Sequence, residues 1–179
     1  MGHGETTADH TAKRNREYSK VEVSGTPVMV ESSGGSSMDE QIRKAIFDQV
    51  AREPFSRKLD IKLLDLEEGY SKVALTLRPD LENIFGMAHG GAIFSLLDVA
   101  FETACNSHGT TAVALNVVIT YLASPNPEST LTAEARELSR TRKTANYDIK
   151  AYDDQGRLIA SCQALAYRKE TPLPFLPDG

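Results

Sequence analysis

The sequence predicts an α+β domain in which about six antiparallel strands curl around one long buried helix. Three observations carry this reading. One helical run is apolar nearly all round, the strand-like runs do not alternate with helices, and four of them follow that helix in direct succession. A helix apolar on every side has to be wrapped rather than laid on a surface. Strands in direct succession pair antiparallel through short turns.

Each element has its own warrant. Residues 1–38 read as a flexible tail, polar and ending in the Ser/Gly run 32–37, which has linker composition. Two short apolar pieces, residues 21–23 and 28–30, have strand character but are assigned to that tail, as are His3 and His10. Asp39 has the chemistry of an N-cap, and Ile42, Ala45, Ile46, Gln49 and Val50 follow at helical spacing. A helix is therefore expected from there to just before Pro54. Residues 59–66 and 70–77 read as strands joined by the turn Glu67-Glu68-Gly69, with Val73, Leu75 and Leu77 alternating with polar neighbours. The central helix is expected from Gly90 to about Asn106, with Gly109 as its stop. Residues 112–122, 129–138, 144–152 and 157–168 supply the four succeeding strands, the last two joined by Asp153-Asp154-Gln155-Gly156. Ala160, Cys162, Ala164 and Ala166 share one side of the last strand and are small enough for a helix to approach closely. The domain is set at residues 39–171, with a short C-terminal tail at 172–179.

Composition narrows the function classes. Apolar content of 40% and charged content of 25% describe a globular domain, and a net charge of −5 supplies no large basic field for nucleic acid. No apolar run reaches the ~18–20 residues of a membrane span, and no signal-peptide core is visible, so a cytoplasmic location is expected. Cys105 and Cys162 lie in apolar runs and are expected in the core. Two cysteines make no metal framework, and no metal is expected.

Residues 83–98 are the most informative stretch. Gly90 and Gly91 open the central helix, where bare backbone N–H groups at the positive helix end suit a developing oxyanion. Asp98 stands two turns inside, among Ile93, Leu96, Leu97, Val99 and Phe101, where a carboxylate is costly unless used or paired. The competing reading makes Ser95, Asp98, Glu102 and Asn106 the helix's one solvated stripe. His89 is either a capping residue or a substrate contact, and Asn83 either an Asx-turn or a site residue. Gly91 suits helix packing or turn geometry, and His108 the dipole at the helix C-terminus. Arg140, Arg142 and Lys143 form a basic cluster in a turn, suited to phosphates or simply to solvent; Arg168 and Lys169 are a weaker one.

The stretch from Asn83 to Asp98, with its His89-Gly90-Gly91 core and the run 100–107 after it, resembles the hotdog-fold acyl-CoA thioesterases of the PaaI (phenylacetic-acid pathway) type. The resemblance spans roughly residues 54–169. It implies a hotdog fold and hydrolysis of an acyl-CoA to free acid and CoA. The acyl group would be aromatic, such as phenylacetyl or hydroxyphenylacetyl, or of medium length. No cofactor is implied beyond the coenzyme A of the substrate, and the implied assembly is a homodimer paired into a tetramer.

By the same resemblance Asp98 is the catalytic carboxylate, as general base or nucleophile, and the Gly90 backbone N–H polarises the thioester carbonyl. Asn83 and His89 sit beside the thioester and the water. Gly91, Phe94 and Glu102 are expected along the substrate, with Phe85, Met87 and Phe101 as further apolar lining. Some relatives add a Ser or Thr from the strand after the helix; here residues 111–116 offer Ala114 or Asn116 instead. Arg140, Arg142 and Lys143 are the expected contacts to the CoA phosphates.

Helix geometry constrains this further. Eight residues at ~1.5 Å put the Gly90 amide and the Asp98 backbone about 12 Å apart. Reacting atoms need ~3–3.5 Å, so a site shared by two subunits across a two-fold axis is expected. Two other functions fit the same residues: a hotdog enoyl-CoA hydratase or dehydratase, and a non-catalytic acyl-CoA-binding domain with residues 1–38 as an interaction arm.

Overall fold

A computed structural model describes residues 17–23, 26–32 and 38–176. His3, His10 and most of the Ser/Gly run lie outside the described residues. Within the segment read as a tail, β1 (Glu17–Val23) pairs antiparallel with β2 (Thr26–Ser32), from Glu17 opposite Ser32 to Val23 opposite Thr26. The apolar piece at 21–23 is thus the end of one seven-residue strand and that at 28–30 the middle of the other, each strand completed by residues outside the apolar piece whose backbones pair as well.

Met38 is buried in the core, immediately before helix α1 (Glu40–Val50). Asp39 caps α1, its carboxylate accepting from Gln41 N–H at 2.8 Å. A short helix α2 (Pro54–Leu59) follows, in place of the strand start expected at residue 59. Pro54 opens it at N1, where a missing N–H costs nothing, and Asp60 ends it in the left-handed conformation at φ 62°.

Strands β3 (Lys62–Glu67), β4 (Tyr70–Thr76), β5 (Thr110–Tyr121), β6 (Thr130–Arg140), β7 (Thr144–Tyr152) and β8 (Leu158–Pro172) form one antiparallel sheet in the order β3-β4-β6-β7-β8-β5. Strand β8 runs past Arg168 to Pro172, and Leu173 beyond it is buried, so the C-terminal boundary read at 171 cuts through packed structure. Helix α3 (Gly90–Asn106) lies in the hollow of the sheet. Leu96, Leu97, Ala100, Phe101 and Ala104 are shut off from solvent against Val73, Leu75, Leu131 and Ile149. Phe101 meets Tyr147 of β7 edge-on at 5.4 Å between ring centres. Burying one such ring contributes about 2–3 kcal/mol, and it fixes how far α3 sits from β7. Among the described residues no helix is long and apolar enough to cross a membrane.

Candidate active site

The approach to α3 is a loop that bonds to itself. Asn83 Oδ1 accepts from the N–H of Phe85 at 2.8 Å and of Met87 at 3.2 Å, while Asn83 N–H donates to the Met87 carbonyl at 2.7 Å. Asn83 therefore makes the Asx-type turn, and Ile84 and Phe85 project from its tip, 91% and 74% exposed. His89 N–H donates to the Leu81 carbonyl at 2.8 Å, which fixes where the helix starts.

His89 is the N-cap of α3. Its Nδ1 accepts from Gly91 N–H at 2.8 Å, so the neutral ring carries its proton on Nε2. A Cβ on residue 91 would lie 2.9 Å from that Nδ1, so the cap itself requires glycine there. Gly90 is the first helical residue, and no acceptor among the described residues takes its N–H. Its carbonyl accepts from the Tyr121 hydroxyl at 3.0 Å, and a Cβ on Gly90 would stand 3.3 Å from the Tyr121 ring. Sequence reasoning missed Tyr121. It stands 31 residues away at the end of β5, and nothing local marks it until the sheet brings that strand end beside the helix start.

Asp98 is half-buried two turns into α3, and its carboxylate takes no hydrogen bond from the described residues. Burial, helped by the charge of Glu53, raises its pKa above the ordinary carboxylate value. Glu102, one turn on, reaches solvent at its surface, yet desolvation, then Glu53 and Asp98, push it up to about 7. The solvated-stripe reading holds for Glu102 only. Ser95 is buried, with its hydroxyl on the Gly91 carbonyl at 2.8 Å. Asn106 is tied to Glu102 O at 2.9 Å and to both backbone groups of Ala112. Phe94 is half-buried one turn before Asp98.

The structure brings His89, Gly90, Gly91 and Tyr121 together at one end of α3, with Asp98 and Glu102 farther along it. A cavity of about 380 Å³ opens beside Gly90, lined by Met87, Ile93, Tyr121 and Leu122 among others. A larger one, about 460 Å³, lies between α1, α2 and β3, away from both Gly90 and Asp98.

The basic cluster lies at the other end of the sheet. Arg168 N–H donates to the Lys143 carbonyl, and Arg168 is opposite Ala112 near the start of β5, whereas Gly90 meets the end of β5. Arg140, at the surface, bonds His108 Nδ1 at 2.8 Å and pairs with Glu137, while Arg142 and Lys143 share Glu170. His108 is held there, between Arg140 and Glu137, rather than by the helix dipole.

Ala114 and Asn116 are both exposed on β5, whose pairing with β8 shifts between them. Cys105 and Cys162 are buried and unbonded to each other. No group of three or more His, Cys, Asp or Glu side chains is placed to hold a metal ion among the described residues.

Comparison with known proteins bears on this geometry. The family model described as "Thioesterase superfamily" matches residues 85–160. The chain is 39% identical to a putative esterase of Archaeoglobus fulgidus over 65% of its own length and 75% of the relative's. It is 34% identical to the acyl-coenzyme A thioesterase PaaI of Escherichia coli, over 63% of this chain and 81% of that one. The solved structure of the E. coli PaaI protein superposes with a TM-score of 0.72 at 29% identity, covering 76% of this chain and 99% of that one. A Streptococcus mutans protein solved bound to acetyl CoA superposes with a TM-score of 0.61 at 26% identity, over 63% and 91% of the two chains.

Proposed function

The chain belongs to the thioesterase superfamily, as a hotdog-fold acyl-CoA thioester hydrolase of PaaI type, and on that premise we propose that its reaction centre forms between two copies, Gly90 of one facing Asp98 of the other. The observation that carries this reading is a pair of unspent groups on one helix. The Gly90 N–H and the Asp98 carboxylate both lack partners among the described residues. About 12 Å of helix keeps them from one carbonyl in a single copy.

Strand β5 supplies the means of pairing. It is twelve residues long and lies at the sheet edge, with Leu115 and Val118 56% and 58% exposed. A long apolar edge is a template for another strand, and a two-fold axis pairs it with itself antiparallel. That arrangement brings the start of β5, with the basic turn beside it, next to the end of β5, where Tyr121 holds Gly90. Arg142 and Lys143 of one copy then lie near the reaction centre opened by Gly90 of the other, in reach of the CoA phosphates. Arg140 is committed to His108 and Glu137.

In this centre the thioester carbonyl oxygen lies on the Gly90 N–H, with the helix dipole behind it. Asp98 either takes a proton from the water that attacks the carbonyl carbon, or attacks that carbon itself and is freed by water afterwards. In both routes the C–S bond breaks, and the products are the free acid and the CoA thiol. The raised basicity of a half-buried Asp98 favours proton abstraction near neutral pH. His89 Nε2–H is a second donor beside the same helix end.

Subunit mixing tests the shared site. Asp98→Ala and Gly90→Pro enzymes are each expected to lose activity by about 10²-fold or more; proline at N1 keeps the helix while deleting the N–H. Heterodimers carry one intact site of two, so an equal mixture regains about a quarter of wild-type activity in release of free thiol. Confirmed subunit exchange by native mass spectrometry with no recovered activity sinks the shared site.

A further inference from the structure

The free N–H at the start of α3 sits at the loosest point of that helix. Gly90 is its first residue, and glycine restrains its own backbone less than any other residue does. The Gly90 N–H also lies ahead of the helix's own hydrogen-bond ladder. Three further contacts hold this start. His89 N–H donates to the Leu81 carbonyl and Gly91 N–H to His89 Nδ1, both at 2.8 Å, and these grip the residues on either side. The third, from the Tyr121 hydroxyl to the Gly90 carbonyl at 3.0 Å, grips Gly90 itself. It is not needed to satisfy the backbone, because an α-helical carbonyl already accepts from the N–H four residues on. Nor does the tyrosine fill the core, being 49% exposed.

The placement of that side chain is nevertheless exacting. Tyr121 lies opposite Ala160 of β8, and the next two residues, Leu122 and Ala123, both donate backbone N–H to the Ile159 carbonyl, at 2.8 and 3.2 Å. Ile159 is fully buried, so the ring projects from a fixed strand end. It comes so close that a Cβ on Gly90 would stand 3.3 Å from both its Cζ and its hydroxyl oxygen. It also walls the cavity of about 380 Å³ beside Gly90. We infer that Tyr121 is a positioning residue for the hydrolysis: its hydroxyl and ring lock the Gly90 backbone, so that the N–H is aimed where the carbonyl oxygen gains charge. The inference rests on the reading of Gly90 as the oxyanion donor. Glycine at position 90 is then demanded by the Tyr121 ring, since the helix itself would favour alanine. A donor aimed in advance serves the transition state more than the bound substrate, so its loss falls on kcat and spares KM.

Tyr121→Phe keeps the ring and removes the hydroxyl. Its kcat in free-thiol release is expected to fall about tenfold, part of the 10²–10³ that loss of an oxyanion donor costs. KM stays within about twofold, and the melting temperature within about 2–4 °C. Gly90→Ala pushes the ring aside and loses about as much. The Gly90→Ala/Tyr121→Phe double variant loses little beyond either single change, because both act through one contact. An unchanged kcat in Tyr121→Phe, a rise in KM at constant kcat, or single effects that multiply in the double variant overturns the proposal. Infrared spectra of phenylacetyl-CoA, isotope-labelled at the thioester carbonyl and bound to Asp98→Ala, separate it from the reading of Gly90. A carbonyl stretch lowered on binding, and returned toward the free-ester frequency in Asp98→Ala/Tyr121→Phe, supports the lock. A lowered stretch that Tyr121→Phe leaves in place rejects the lock and keeps the Gly90 donor, whereas no lowering in Asp98→Ala rejects both.

Discussion

The two ends of α3 are built on opposite plans. At the C-terminal end the polar groups close on one another. The Ser107 hydroxyl donates to the Ala104 carbonyl and accepts from Gly69 N–H, both at 2.7 Å. The His108 ring sits between Arg140 and Glu137, each at 2.8 Å, and the Tyr147 hydroxyl gives Glu137 another bond at 2.8 Å. A guanidinium only donates, so His108 Nδ1 accepts and Nε2–H donates to Glu137, which fixes one neutral tautomer. At the N-terminal end the Gly90 N–H and, farther in, the Asp98 carboxylate find no partner among the described residues, and the loop before them holds Ile84 and Phe85 out in solvent. A helix pinned at one end by a satisfied network can hold unsatisfied groups in fixed positions at the other. Unspent polar groups lower stability and are what a substrate can use.

The widest separation between the two ends comes from removing the anchor. His108→Ala deletes two hydrogen bonds and leaves the Glu137 carboxylate short of a donor, which costs about 2 kcal/mol. The melting temperature is expected to fall by about 4–8 °C, with kcat per folded molecule unchanged, because the ring lies at the far end of its helix from Gly90 and meets the basic turn only through Arg140. A fall in kcat with an unmoved melting curve erases the distinction.

The reverse pattern is expected at the other end. In Gly91→Ala the new Cβ stands 2.9 Å from His89 Nδ1, so the cap ring must swing away. The lost cap costs about 1 kcal/mol, a shift of about 2–4 °C. The larger consequence is for chemistry. The neighbouring Gly90 N–H loses its fixed aim, and kcat falls about tenfold, a fraction of the 10²–10³ that deleting an oxyanion donor costs. Stability and activity thus trade places between His108→Ala and Gly91→Ala. Steady-state kinetics beside melting curves for the two variants reads this directly, and a Gly91→Ala enzyme with wild-type kcat removes the cap from the mechanism.

Local chemistry made one of these ends legible and hid the other. The bounds of α3 at Gly90 and Asn106 follow from the glycine pair and the apolar run, and the β6-β7-β8 succession follows from consecutive runs, whereas the edge place of β5 beside β8 is a long-range pairing that no local pattern marks. Helix α2 was hidden because six residues show no period, and β1 and β2 because polar residues carry much of their length. The anchor network joins His108 to a residue 29 positions away and Tyr147 to one 10 positions away. Sequence spacing cannot report such contacts until β6 and β7 are folded side by side. Tyr121 was hidden for the same reason. Asn83 shows the limit differently: its residue type allowed both a turn and a site, and only the two N–H bonds it accepts reveal the turn.

The smallest effect probes the space between the ends. Glu102 has a folded pKa of about 7 against an ordinary value of 4.5, raised by burial, then by Glu53 and Asp98. Between those pH values the folded chain holds a proton that the unfolded chain has lost, so this group makes stability fall as pH rises from about 4.5 to about 7. Glu102→Gln removes the titration. The variant should melt with the wild type at pH 4.5 and above it at pH 8, by only about 1–3 °C because solvent at the Glu102 surface screens the effect. Pairing of two copies over α3 would bury Glu102 more deeply and widen the gap. Melting curves at both pH values, taken across protein concentrations that span dimer dissociation, read this. A gap that narrows with rising pH would mean that a cation of the second copy meets Glu102, and the carboxylate cluster would then be an interface contact.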